Sequence, residues 1–307
     1  MAGFRFAFRL PEDRALGIDD VRWALLALEP GGRRMRYGAF TASDGAEVPY
    51  RLWLPKRPRA ALILLHGVCD YSGAFDAMGP KLARAGFAVL AYDQRGFGAS
   101  SSRGDWAGDA RLVEDVANAA QFLRERLSPG IPLFLIGESM GGAIAIHAAA
   151  SQAVPQMAGM VLVAPGALAS PLRHSFYGWL IFFFRQFGGE SELVFERLDS
   201  SNLTASAAIR LLGDPLVMRS VSAEVLEGVI ALARSAVDAA RQVEVPTLTM
   251  VGGKDDLLRR DCILQLHENL AGPRAWADIA DGPHLLLHWK RGGEVMRTAR
   301  RWIERHL

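Results

Sequence analysis

The residue with the clearest chemical context in this sequence is Ser139, the centre of a Gly-Glu-Ser-Met-Gly motif. An unbroken apolar stretch, Pro132 to Ile136, precedes the motif, and an Ala/Ile-rich stretch follows it. This order predicts a buried strand, a sharp turn and a helix, which is the context of a nucleophile elbow. Glycines at 137 and 141 would remove Cβ atoms where strand and helix meet. We therefore predict that Ser139 is a nucleophile presented at the end of a strand.

A serine nucleophile needs a base and an orienting carboxylate. The hydroxyl is activated by an imidazole, whose tautomer is set by a neighbouring carboxylate. The sequence places Asp255 after the apolar stretch Pro246 to Val251, and it places His284 in a Gly-Pro-His turn after the last predicted strand. Asp256 is an alternative orienting residue, although Gly-x-x-Asp spacing after a strand favours Asp255.

Several other histidines compete for the role of the base. The competitors are His66, His147, His174, His267 and His288. Of these, none follows the last predicted strand as directly as His284, so position favours His284.

An acyl-transfer site also needs two donors for the oxyanion of the tetrahedral intermediate. The first expected donor is the backbone N–H of Met140, which directly follows the nucleophile. The second is expected in the loop after the apolar stretch Ala60 to Leu65, where His66-Gly67 leads to Val68.

The elements that must position these residues form a repeating strand–helix pattern. Six further strands are predicted, most of them mainly apolar, and helices are predicted between them. The strands are Ala60–Leu65, Phe87–Tyr92, Pro132–Ile136, Gly159–Ala164, Pro246–Val251 and Ala275–Ala280. Before them, two alternating stretches between Met35 and Leu54 flank a Ser-Asp-Gly-Ala turn and predict antiparallel edge strands. The pattern predicts an α/β fold with a mostly parallel sheet and helices on both faces.

The alternation stops between about 166 and 241, where only helical and aromatic stretches occur. We therefore predict an N-terminal leader (1–36), a core made of residues 37–165 and 242–307, and a helical cap (166–241). The cap contains an aromatic-rich run, Phe176 to Phe184, without a polar face. Two interpretations stay open: a helix buried against the core, or a surface that lines an acyl channel or contacts lipid. In the second interpretation, the substrate-binding residues are Phe176, Trp179 and Phe183.

A charged pair of residues follows the second parallel strand. Asp93 and Arg95 are predicted to form a buried ion pair that organises the loop behind the elbow, rather than to act in catalysis. The same stretch continues as a Gly-Phe-Gly sequence around Phe97.

These motifs together resemble the monoacylglycerol lipase and lysophospholipase group of α/β-hydrolases, which are serine aminopeptidase-like hydrolases. The resemblance is carried by His66-Gly67-Val68, the Asp93–Ser100 stretch, the Ser139 motif, Gly252-x-x-Asp255, and Gly282-Pro283-His284, with Asp214-Pro215-Leu216 in the cap. It implies an α/β-hydrolase fold, the triad Ser139, Asp255 and His284, and the oxyanion donors Val68 and Met140. Two positions depart from the group: Glu138 and Phe97 stand where histidine is common.

Composition sets outer limits on function. The chain has 307 residues, half of them hydrophobic, and a formal net charge of +2, so no nucleic-acid-binding surface is indicated. The only two cysteines, Cys69 and Cys262, indicate a reducing, cytoplasmic setting. The N-terminal apolar stretches are too broken for a signal peptide, and the run Phe176 to Phe184 is too short to span a bilayer.

The sequence therefore predicts a serine hydrolase that cleaves the carboxylic ester of a single-chain lipid, such as a monoacylglycerol or a lysophospholipid. This chemistry needs no metal and no organic cofactor. An acyltransferase or amidase with the same triad is one alternative, and a hydrolase fold that only binds a ligand is another. We expect loose contact with a membrane surface through the cap.

Overall fold

The structure is a computed structural model that describes residues 35–168 and 202–307. Its strands are β1 (Met35–Thr41), β2 (Glu47–Trp53), β3 (Ala60–Leu65), β4 (Phe87–Tyr92), β5 (Leu133–Glu138), β6 (Met157–Val163), β7 (Thr247–Gly252) and β8 (Arg274–Ile279). Its α-helices are α1 (Gly79–Arg84), α2 (Asp109–Arg124), α3 (Met140–Ala150), α4 (Ala205–Gly213), α5 (Ala223–Ala239), α6 (Arg260–Asn269) and α7 (Gly292–Glu304). Short 3₁₀ helices lie at Ser72–Phe75 and Ala240–Gln242.

The described strands form one sheet in the order β1-β2-β4-β3-β5-β6-β7-β8. From β4 to β8 every neighbouring pair is parallel, whereas β1 and β2 run antiparallel at one end. The predicted mostly parallel sheet is therefore confirmed. Of the two strands predicted at the edge, only β1 is an edge strand, because β2 also pairs with β4.

Burial explains why these segments become parallel strands. All six residues of β3, of β4 and of β5 are buried, because helices cover both faces of the sheet. Helix α3, which starts directly after Ser139, is buried along nearly its whole length, and α2 and α5 pack against it. The nucleophile's helix is thus held on several sides by the core.

The chain between β3 and β4, where one helix would be expected, does not form a single continuous element. The structure has a 3₁₀ helix (Ser72–Phe75) and then α1, with Pro80 in the first turn of α1. Proline lacks an N–H and clashes with the preceding turn, so it begins a helix rather than continuing one.

The described part of the predicted cap contains two helices in different surroundings. Thr204 caps α4 by accepting a hydrogen bond from Ala207 N, and Ser222 caps α5 by accepting one from Val225 N. Buried residues of α5 join the main core beside α3, whereas those of α4 belong to a separate small apolar cluster. The buried apolar residues of α4 therefore pack in a cluster separate from the main core, whereas Met218 and Val221 in the loop after α4 join the main core.

Two predicted regions lie outside the described residues. They are most of the N-terminal leader (1–34) and the aromatic run with Phe176, Trp179 and Phe183. Within 35–168 and 202–307, no helix combines the length and the apolar character needed to cross a bilayer.

Candidate active site

Ser139 lies in a sharp turn between β5 and α3. Its backbone has φ 52° and ψ −119°, a conformation that non-glycine residues rarely adopt. Hydrogen bonds hold the turn: Ser139 N donates to Val163 O at 3.0 Å, and Ser139 O accepts from Gly166 N at 2.8 Å. The strained backbone presents the hydroxyl away from both elements, as a nucleophile elbow requires.

The glycines of the motif are required by close packing. A Cβ on Gly137 would lie 2.3 Å from Gly141 O, and one on Gly141 would lie 2.2 Å from Leu65 O. Both distances are far below van der Waals contact with backbone atoms that cannot move away. This agrees with the prediction that glycine is needed where strand and helix meet, because a Cβ would collide there.

The structure brings Ser139, His284 and Asp255 into one hydrogen-bonded chain. His284 Nε2 lies 3.0 Å from Ser139 Oγ, and His284 Nδ1 lies 2.8 Å from Asp255 Oδ2. Since the carboxylate only accepts, Nδ1 carries the proton and donates it, which leaves Nε2 free to accept from the hydroxyl. This is the tautomer in which an imidazole can remove a serine proton.

Asp255 is held in place by the backbone as well as by the histidine. Its Oδ1 accepts hydrogen bonds from Leu257 N at 3.0 Å and Leu258 N at 2.9 Å, and its side chain is 2% exposed. Asp256 is exposed. The geometry therefore favours Asp255 over Asp256 as the orienting carboxylate.

The competing histidines within the described residues are bonded elsewhere. His267 Nδ1 lies 3.0 Å from Thr249 Oγ1, and His147 Nε2 lies 3.0 Å from Ser235 Oγ. His66 is buried in the loop after β3, and His288 is buried beside Glu138. His174 lies outside the described residues.

The predicted oxyanion donors lie at the start of α3 and in the loop after β3. Met140 is the first residue of α3, so its N–H has no partner inside the helix and lies at the positive end of the helix dipole. Gly67, directly before Val68, faces the nucleophile, because a Cβ on Gly67 would lie 3.5 Å from Ser139 Cβ. The loop after β3 thus passes beside the serine, as a second donor requires.

His66 has a structural role in that loop. Its Nε2 accepts a hydrogen bond from Gln94 N at 3.0 Å, so Nδ1 carries the proton and donates to Gly67 O at 2.8 Å. Gln94 Nε2 in turn donates to His66 O at 2.8 Å. Complete burial lowers the pKa of His66, which favours the neutral ring.

The predicted ion pair between Asp93 and Arg95 does not form. Asp93 accepts hydrogen bonds from Ser72 N at 3.0 Å and Ala99 N at 2.8 Å. Arg95 instead binds Asp44 and Asp115, with shortest distances of 2.6 and 2.7 Å. The turn after β4 directs the two side chains apart, Asp93 toward the loop after β3 and Arg95 toward the β1–β2 turn and α2. Both stabilise loops, as predicted, but through different partners.

A second group of buried charged or titratable residues adjoins the triad, and the sequence did not indicate it as a group. Its members are Asp70, Glu138, Arg210 and His288. Glu138, directly before the nucleophile, accepts a hydrogen bond from Leu287 N at 3.0 Å and is 2% exposed. His288 Nε2 lies 3.2 Å from Glu138 Oε2, outside hydrogen-bonding geometry.

Arg210, from α4, completes this group. Its Nη1 forms an ion pair with Asp70, and its Nη2 lies 3.5 Å from His288 Nδ1. The departure of Glu138 from the group pattern was the one sequence signal for these contacts. No local pattern pointed to Arg210.

Comparison with known proteins identifies one family and several relatives. Residues 56–288 match the family described as serine aminopeptidase, S33. Human monoglyceride lipase is 36% identical over 131 residues, which are 42% of this chain and 43% of that protein. The alignment thus spans less than half of the human protein.

A longer alignment is found with the monoacylglycerol lipase of Mycolicibacterium smegmatis, 26% identical over 230 residues, 72% of this chain and 79% of that protein. The crystal structure of Paleococcus ferrophilus monoacylglycerol lipase has a TM-score of 0.70 at 24% identity, covering 85% of this chain and 100% of that chain. These matches confirm the predicted α/β-hydrolase fold and the resemblance to the monoacylglycerol lipase group.

Proposed function

Because this chain belongs to the serine aminopeptidase S33 family of hydrolases, we propose that it hydrolyses a carboxylic ester through an acyl-enzyme intermediate. The observation that carries the proposal is the hydrogen-bonded chain from Asp255 through His284 to Ser139, with distances of 2.8 and 3.0 Å. A fold that only binds a ligand has no need of this alignment or of the strained turn at Ser139.

In the first half of the reaction, Ser139 Oγ attacks the ester carbonyl carbon and its proton passes to His284 Nε2. The carbonyl oxygen becomes an oxyanion, which accepts hydrogen bonds from the N–H groups of Val68 and Met140. When the tetrahedral intermediate collapses, the C–O bond to the alcohol breaks. The alcohol leaves with the proton from His284, and the acyl group stays on Ser139.

In the second half, a water molecule takes the place of the alcohol. His284 removes its proton as the water oxygen attacks the acyl carbon, and the same two N–H groups hold the second oxyanion. Collapse of this intermediate releases the carboxylic acid and returns the proton to Ser139. Asp255 keeps the imidazole in the required tautomer throughout.

The substrate we propose is a single-chain lipid ester, a monoacylglycerol or a lysophospholipid. Two relatives, from human and Mycolicibacterium smegmatis, carry the names monoglyceride lipase and monoacylglycerol lipase. The aromatic run of the predicted cap suits one long acyl chain, and the same run would make loose contact with a lipid surface. The family description, serine aminopeptidase, favours an amidase as the second candidate.

The nucleophile is tested with a fluorophosphonate probe on wild type and on Ser139→Ala. The probe should label wild type and leave the alanine variant unlabelled, because the probe bonds to the serine oxygen. Labelling of Ser139→Ala at the wild-type rate would exclude Ser139 as the nucleophile.

The substrate class is tested with esters of graded acyl length and with the matching amides. Lipid ester hydrolysis predicts that kcat/KM rises with chain length and is far higher for esters than for amides. Faster turnover of an aminoacyl amide would favour the amidase instead. Added glycerol that captures the acyl group ahead of water would indicate an acyltransferase.

A further inference from the structure

The loop that carries the predicted oxyanion donor Val68 is bound to the segment 202–218, which contains α4. Each of the three residues after Val68 contacts one residue of that segment. The pairs are Cys69 O with Met218 N at 2.8 Å, Asp70 with Arg210, and Tyr71 Oη with Asp214 Oδ2. Three consecutive contacts leave the loop little freedom to move independently of this segment.

The Asp70–Arg210 pair is the ion pair of this set, and it is largely buried. The two side chains are 9% and 11% exposed, so breaking the pair would leave a charge in a site with little water. Asp70 Oδ1 also accepts a hydrogen bond from Tyr71 N at 2.8 Å, which ties the carboxylate to the loop's own backbone. Arg210 therefore acts on the main chain of the loop, not only on a side chain.

The same segment is also attached to the loop that carries His284. Thr204 N donates to His288 O at 2.9 Å, and Lys290 N donates to Asn202 O at 2.9 Å. One apolar cluster includes residues from all three parts: Tyr71 from the first loop, Leu285 from the second, and Leu203, Ala207, Leu211 and Val217 from the segment. The segment thus connects the two loops that approach Ser139.

The backbone of the oxyanion loop needs such support. Cys69, one residue after Val68, has φ 66°, in the left-handed region that non-glycine residues rarely occupy. A conformation of this kind persists only where surrounding contacts hold it. An oxyanion donor contributes fully only when its N–H is already aimed before the charge develops.

We infer that Arg210 is a positioning residue of the oxyanion hole: by pairing with Asp70 it holds the backbone that presents Val68 N–H to the developing oxyanion. The inference rests on the proposed function, since it takes Val68 as a donor. It assigns to α4 a role in the chemical step. Arg210 itself does not touch the reacting atoms in this scheme.

The test compares Arg210→Met, which removes the charge, with Arg210→Lys, which keeps it. On a short soluble ester, Arg210→Met should lower kcat by about 10- to 100-fold, while KM stays nearly unchanged. This loss is smaller than the loss expected when an oxyanion donor is removed entirely, because Val68 N–H would be misaligned but still present. Arg210→Lys should recover most of the lost kcat. The matched control is Arg219→Met, because Arg219 directly follows the segment and binds its Leu212 O. Among the described residues Arg219 has no hydrogen bond or ion pair to the oxyanion loop.

A pair of ketone inhibitors separates oxyanion binding from general damage. Ser139 Oγ adds to the carbonyl carbon of a trifluoromethyl ketone, and the carbonyl oxygen becomes an oxyanion. The matched methyl ketone, which is far less electrophilic, reports on ground-state binding. In Arg210→Met the ratio of the two affinities should fall by the same factor as kcat. A variant that is only partly folded would have fewer active sites but an unchanged ratio.

A double-mutant cycle tests whether Arg210 acts through Asp70. Asp70→Asn keeps an acceptor for Tyr71 N–H and loses the ion pair, so the double variant should be no slower than the slower single variant. Additive losses, an unchanged ketone ratio, or a kcat loss no larger than in Arg219→Met would each overturn the inference. If wild type hydrolyses no ester, or if Ser139→Ala stays active, the proposed function fails instead.

Discussion

Replacing Asp255 by asparagine should reverse the hydrogen bonding of the catalytic imidazole. Asp255 Oδ1 accepts from Leu257 N and Leu258 N, so this position needs an oxygen. An asparagine would place its carbonyl oxygen there and turn its amide NH₂ toward His284 Nδ1, where Oδ2 now lies at 2.8 Å. Since NH₂ only donates, Nδ1 would have to accept, and the proton would move to Nε2.

A proton on Nε2 prevents His284 from accepting the proton of Ser139. The expected loss in kcat for Asp255→Asn is about 10⁴-fold, which corresponds to about 5 kcal/mol of activation free energy. The assay is steady-state hydrolysis of a soluble short-chain ester, with burst titration to count active sites. Asp256→Asn is the matched control, and since Asp256 is exposed, its kcat should stay close to wild type.

The same geometry predicts an unusual ranking of variants. Asp255→Ala removes the carboxylate without supplying the misdirecting NH₂, so the isosteric asparagine variant should be no faster than the alanine variant. A loss below tenfold in Asp255→Asn, or a larger loss in Asp256→Asn, would refute this reasoning. The second result would move the orienting role to Asp256.

Two further predictions concern stability and lipid access. Burial lowers the pKa of His66 below 6.5, so as pH falls the unfolded chain takes up a proton at this residue before the folded chain does. The free energy of unfolding should therefore decrease as pH drops below about 6.5, by at most about 1.4 kcal/mol per pH unit. Urea unfolding of His66→Gln should show a shallower fall down to about pH 5; an unchanged slope would contradict the pKa direction. Replacing Trp179 and Phe183 by serine should raise KM for a long-chain monoacylglycerol by about tenfold or more, with kcat/KM for acetate esters unchanged. Equal losses of kcat/KM on long and short esters, or unfolding of the variant, would show that the aromatic run is part of the hydrophobic core and does not bind the acyl chain.

Local patterns in the sequence were sufficient to predict the elements that form the site. Unbroken apolar runs of five or six residues predicted β3, β4 and β5, because a strand covered on both faces has no polar positions. The glycines around Ser139 predicted a turn too tight for side chains, and the structure shows why, with a Cβ on Gly137 only 2.3 Å from backbone.

The three residues that the sequence put forward as a triad are brought together, although Ser139 and His284 are 145 positions apart. They could be grouped because each was placed after a strand of one parallel sheet, and the carboxyl ends of such strands meet at one edge. The topology of a parallel sheet thus allowed residues that are far apart in the sequence to be assigned to one site.

Where no such rule applied, only the tertiary structure decided the contacts. The sequence suggested Asp93 as the partner of Arg95, but in the structure the turn after β4 directs Arg95 to Asp44 and Asp115. Arg210 and Asp70 are 140 positions apart, and Arg210 lies on a helix inserted between strands, whose register on the core no periodic pattern encodes. Strand and turn signals come from a residue's own neighbours, whereas the partner of a buried charge depends on how separate elements pack.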